Sequence, residues 1–190
     1  MVATLNIKSG KQLLRVFAEN KKLPMFIPKL PPSSLRVFIQ EVGIADSAEL
    51  IAYSTLDQFV AVIDESVWSS PRPGSPERFV PEEFLDWIEL ILELGDEFTS
   101  DRLSAMDEDL LVTALSYNLE VANLNLRVVD ASEDRQAGQL DAVSGMDSEI
   151  VILIDEFELK PVYDDEWPVI EPALFALRSN HPELFPLKVL

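Results

Sequence analysis

His181 is the only imidazole in the chain, so any Ser-His-Asp or Cys-His triad would have to use it. It stands directly before Pro182, where a helix-capping or surface role is the plainer expectation, and no G-x-S-x-G accompanies it. There is no cysteine, which removes thiolate nucleophiles, disulfides and thiolate metal sites together. With six glycines and neither GxxxxGK[ST] nor GxGxxG, no phosphate cradle is expected, and hence no nucleotide cofactor. What remains is oxygen chemistry. The run DASEDRQAGQLD sets Asp130, Ser132 and Asp134 at the first three ligand positions of an EF-hand loop. Arg135 stands where that loop turns on glycine, and Asp141 replaces its bidentate glutamate, so an ordinary solvated loop is the better reading. A second acidic group joins Asp155, Glu156 and Glu158 to Asp164, Asp165 and Glu166. If the segments bearing them pair as strands, some of these carboxylates converge at one end and offer a site for Mg²⁺ or Ca²⁺. The preferred reading is a charged edge that blocks strand-to-strand association. Paired carboxylates also suit general acid–base work, yet acids are so common here that no pair is singled out.

These groups must be positioned by helices. Residues 10–20 follow a Ser9–Gln12 capping box and carry Leu13, Leu14, Phe17 and Ala18. In LPMFIPKLPP, four prolines in nine residues permit no more than one short turn between Pro24 and Leu30, with Met25, Phe26 and Ile27 expected on the core. Pro32 opens a helix bearing Leu35, Phe38, Ile39 and Val42, stopped by Gly43. Asp46/Glu49 and Thr55/Gln58 are further capping-box patterns, the second leading Phe59, Val60, Val62 and Ile63. SSPRPGSPERF reads as a surface loop.

The longest organised stretch is Val80 to Leu126. Pro81, Glu82 and Glu83 suit a first helical turn, and Phe84, Trp87, Ile88, Ile91 and Leu92 recur at three- and four-residue steps. Gly95 stops that helix. Asp107 caps a second arm with Leu110, Leu111, Ala114, Leu115 and Leu119, and a third helix or turn lies between the arms. The spacing from Pro32 to Gly43 parallels that from Pro81 to Leu92, a degenerate repeat that favours stacked hairpins over a closed bundle. Beyond, 128–148 is polar and aperiodic, and 149–190 holds a short β element and the C-terminal helices. Residue type favours strands at Ile150–Ile154 and Glu158–Tyr163 over a helix from Asp147 to Phe157. Trp167–Asn180 returns to helix, and Asn180 is placed to cap a last one, HPELFPLKVL. The expected fold is mainly α: a single helical domain over 1–190, built of stacked antiparallel, superhelical hairpins with a minor β element near 150–163.

The balance of 34 acidic against 15 basic residues, net −19, repels nucleic acid and anionic membranes. No apolar run approaches the ~20 residues that cross a bilayer. At 190 residues a single domain hides roughly 70% of its unfolded surface without staples.

The runs LPPSSLRVFIQEVGIADSAELIAYSTLDQF, PEEFLDWIELILELGDE and MDEDLLVTAL resemble an uncharacterised bacterial family, a domain of unknown function. Its members carry helical segments, a loop, a short extended segment and a helix ending in a His/Asp-Pro-Glu-Leu turn, to which HPELF at 181–185 is similar. The resemblance implies the N-terminal part of a longer protein and supplies no catalytic residue. A fainter similarity, of shape, is to the acidic helical N-terminal domain of MgtE-type magnesium channels, without their membrane spans or nucleotide-sensing domains.

Together these readings predict a cytoplasmic, non-catalytic protein-interaction or scaffold module, with cation binding by the C-terminal acids as the alternative. The expected partner is a protein, a second copy of the chain among the candidates. Leu184, Phe185, Leu187, Val189 and Leu190 would form the contact, or else the groove between the hairpins.

Overall fold

The computed structural model describes residues 23–123, 151–154 and 157–184. The expected helix over 10–20, the loop 128–148 with Asp130, Ser132, Asp134, Arg135 and Asp141, the residues Asp155 and Glu156, and the stretch from Phe185 to Leu190 lie outside them. Eight α-helices dominate the described residues, with a small antiparallel sheet.

Helix α1 (Leu23–Phe26) runs into a 3₁₀ turn, Ile27–Lys29, and the prolines end both. Leu23 and Ile27 are buried, but Met25 is 69% exposed and Phe26 partly so, against the expectation that all three apolar residues at 25–27 pack inward. A single turn presents only one side to the core. Helix α2 (Pro32–Val42) starts on Pro32 and ends at Gly43, whose φ of +97° is a conformation that side-chain-bearing residues rarely adopt. Helix α3 (Ala48–Ala52) has Ser47 at its N-cap, without a side-chain cap. The Ser47 hydroxyl instead donates back to the Gly43 carbonyl at 2.6 Å, so the predicted Asp46/Glu49 box does not form. Helix α4 (Leu56–Ser66) carries the full Thr55/Gln58 box. Gln58 also donates through Nε2 to the carbonyls of Ile27 (2.8 Å) and Leu30 (2.7 Å). One buried amide thereby satisfies two carbonyls of the proline-rich segment and fixes it to α4.

The proline-rich loop after α4 is pinned at its base by a two-residue ladder, β1 (Trp68–Ser69) with β2 (Arg78–Phe79). Helices α5 (Pro81–Leu92), α6 (Asp96–Ser104) and α7 (Glu108–Asn118) follow. Gly95, φ +101°, makes the corner between α5 and α6. Asp107 caps α7, its carboxylate accepting from the backbone of Asp109 and Leu110. Phe84, Trp87, Ile88 and Leu111 are buried as the spacing predicts, and Leu115 is half-buried.

The second arm does not continue to Leu126. The helix stops at Asn118, whose side-chain amide donates to the Ala114 carbonyl at 2.7 Å. The chain then extends as β3 (Leu119–Asn123). The strands expected at Ile150–Ile154 and Glu158–Tyr163 are β4 (Ile152–Ile154) and β5 (Phe157–Pro161). β5 is central, antiparallel to both neighbours, with Leu119 opposite Pro161 and Ile152 opposite Leu159. Sequence distance hides this pairing, because β3 acquires its strand partner some forty residues downstream.

Helix α8 (Trp167–Asn180) lies chiefly across α6 and α5. Asn180 is its last residue, bonding back to Ala176, and so does not cap a following helix; His181 is the C-cap, followed by a 3₁₀ turn at Pro182–Leu184. One core centred on Phe59, Trp87, Ile91 and Leu111 joins α1 to α8. A smaller one fills the space between the sheet and α8 with Leu119, Ile154, Phe157, Leu159 and Trp167.

Candidate functional site

Among the described residues, the acids singled out by the sequence do not gather. Asp164, Asp165 and Glu166 form a 3₁₀ turn before α8, with the two aspartates exposed. Glu158 projects from β5 beside Lys160, 3.6 Å away. Burial raises the Glu166 carboxyl above its ordinary value, and the charges of Asp165 and Glu82 push it further. Among the described residues no three acids or histidines converge on a point that could hold a metal ion. His181 lies 3.7 Å from Asp101, tying the end of α8 to α6. Leu184 packs on the main core rather than standing out as a docking patch.

The hollows in the molecule differ in kind. The cavity between α5, α7 and α8, lined by Phe84, Leu111 and Leu174, is about 20 Å³, room for little more than a water. The space between α2 and α5 is far larger. Both helices rest on α4 and make few contacts with each other, so a groove stays open along them. One reach, about 400 Å³, lies over Arg36, Gln40, Glu65, Trp68 and Glu83. The next, about 470 Å³, lies over Val42, Asp46, Asp86, Leu90 and Glu93. Gly43 and Ile44 line both, so the two adjoin.

Buried Ile39, Val42, Val62, Trp87 and Leu90 give this groove an apolar floor. Trp87 is held there by its indole N–H, which donates to the Ser66 hydroxyl at 2.7 Å. The walls are charged. Arg36 pairs with Glu65 across α2 and α4. Glu83 is raised above the usual carboxylate range by burial and by Asp86, with Arg36 opposing. Glu83, Asp86, Glu89 and Glu93 recur along one side of α5, a stripe about 15 Å long at the helical rise. Six carboxylates, counting Asp46 and Glu65, thus face one guanidinium among the described lining residues. This acidic stripe shares α5 with the apolar one, and its three- and four-residue spacing is equally plain in the sequence. That α2 would stand opposite it is not encoded in local spacing.

The family model of DUF6178, a family of unknown function, matches residues 3–147. The chain belongs to this family. The matched region contains both walls of the groove and α4 beneath it, whereas β4, β5 and α8 lie beyond. No curated protein and no solved structure matches the chain, so the similarity to MgtE-type magnesium channels is not shown.

Proposed function

We propose that this DUF6178 member is a non-catalytic, cytoplasmic protein-interaction or scaffold module, and that the groove between α2 and α5 is its recognition surface. In this reading the helices of the first and second halves stack as antiparallel hairpins in a superhelical array, and the groove is the seam between them. The observation that carries it is the open groove of two adjoining hollows, with a buried apolar floor and charged walls. Recognition sites commonly combine a hydrophobic base with a few polar groups that set orientation. The described site residues support this role better than catalysis, for they are distributed along two walls rather than converging on one reacting atom.

Ala45 is exposed at the groove and offers a way to block it. The full chain and its Ala45→Trp variant, tagged and expressed in the native host, would be compared by quantitative mass spectrometry of co-purifying proteins. Loss of specific proteins from the variant, with an unchanged melting curve, is the expected result. Identical sets of partners would remove the groove from consideration.

A further inference from the structure

The groove's chemistry specifies its occupant more closely. Resting on the reading of the groove as a recognition surface, we infer that it takes a cationic peptide segment, with one or two apolar side chains set on the floor and Lys or Arg along the α5 wall.

Two independent features lead there. The first is the floor: above the buried Val42, Leu90 and Trp87, half-buried Ile44 and Trp68 and exposed Ala45 offer apolar area that gains from covering by aliphatic or aromatic side chains. The second is the wall. Asp86, Glu89 and Glu93 lie on the α5 side of the larger reach, and the described residues lining it include no lysine or arginine. Glu83, at the other end, is already held partly out of water beside Asp86. A row of like charges spread over about 15 Å suits several cations at matching intervals, not one ion held by converging ligands. A lysine- or arginine-bearing segment supplies that spacing, relieves the repulsion within the stripe, and gains rate and orientation from the complementary fields. Nucleic acid and anionic lipid carry the wrong sign for this wall.

The test uses the full chain and fluorescence anisotropy of a labelled leucine–lysine peptide of about 14 residues with helical spacing, long enough to span the groove. A companion peptide keeps every lysine and replaces each leucine by serine. The leucine–lysine peptide is expected to bind and the companion to bind at least about tenfold more weakly, because charge alone leaves the floor uncovered. Reversing Asp86, Glu89 and Glu93 to lysine should weaken binding by at least about tenfold, since three exposed attractions become repulsions. Reversing the exposed Asp64, Glu77 and Asp165, none of which lines the groove, changes net charge equally and should leave binding nearly unchanged. Ala45→Trp, which fills the groove without altering charge, must weaken it too, and this keeps the test decisive if the triple groove variant folds poorly. Equal binding of the two peptides, or equal losses in the two reversal variants, would overturn the inference by showing a general effect of net charge. If the leucine–lysine peptide does not bind while Ala45→Trp still loses host partners, the groove is a recognition surface of other chemistry. If neither responds, the groove reading itself falls.

Discussion

Trp87 is the residue on which both the core and the groove floor depend, and its removal can be worked through from its contacts. It is 1% exposed, edge-on to Phe59 with ring centroids 6.0 Å apart, and its indole N–H donates to Ser66. The Ser66 hydroxyl in turn donates to the Ile63 carbonyl at 3.0 Å, so it joins the two elements as acceptor and donor at once. Trp87→Ala removes the ring from a packed site and is expected to cost about 3–5 kcal/mol. Trp87→Phe retains most of the buried area and forfeits the hydrogen bond, which is worth about 1 kcal/mol, plus some misfit. Ser66→Ala leaves the indole N–H without its acceptor and should cost about 1–3 kcal/mol, the penalty of a stranded buried donor. Because the two groups touch, Trp87→Phe and Ser66→Ala together should cost less than their sum by about 1 kcal/mol. Urea unfolding followed by far-ultraviolet circular dichroism measures all four variants without relying on tryptophan fluorescence. A loss below about 1.5 kcal/mol for Trp87→Ala would contradict its central place in the core. Strict additivity of the pair would show that the hydrogen bond contributes nothing.

Thr55→Ala removes one half of the capping box on α4 and should lower stability by about 1 kcal/mol, read as a shift in the urea midpoint. Glu166→Gln tests the crowded carboxyl before α8. Its raised value means the folded state holds the proton more tightly, so its favourable contribution exists below the ordinary value of 4.5 and is lost as pH rises through the folded-state value. The variant should therefore be more stable than the parent at about pH 7, with the difference gone at about pH 4; an unchanged midpoint at both would show that the crowding is relieved by solvent. Arg102 is almost wholly buried, donating to the Ser54 carbonyl at 2.8 Å and lying 4.4 Å over the Phe98 ring, while its Nε has no partner. Burial holds this guanidinium below its ordinary value, with Asp101 opposing. Arg102→Met keeps the apolar stem and sheds the buried charge, so it should stay within about 1 kcal/mol of the parent, whereas Arg102→Ala should cost about 2–3 kcal/mol. Thermal or urea melts that rank the two equally would show that the charge itself anchors α6.

Local chemistry determined much of this molecule. Pro32 and Pro81 start their helices, Asp107 and Thr55 cap theirs, and the apolar spacing of α5 and α7 names the buried residues, because each depends on neighbours within one or two turns. Helix α8 and the strand character of the segments around β4 and β5 were legible for the same reason. Tertiary structure alone decided the rest. Leu119 continues the apolar pattern of α7 as well as it begins β3, and only pairing with Pro161 at the other end of β5 makes it strand. Asp46 and Glu49 match a capping box, yet Ser47 turns to Gly43 and takes the N-cap instead. Met25 and Phe26 are apolar and still face outward, because the single turn that holds them is anchored through Leu23, Ile27 and the Gln58 amide. The groove follows the same rule: its acidic wall is written in the spacing of α5, but the space before it exists only because α2 and α5 share α4 as support and stand apart from each other.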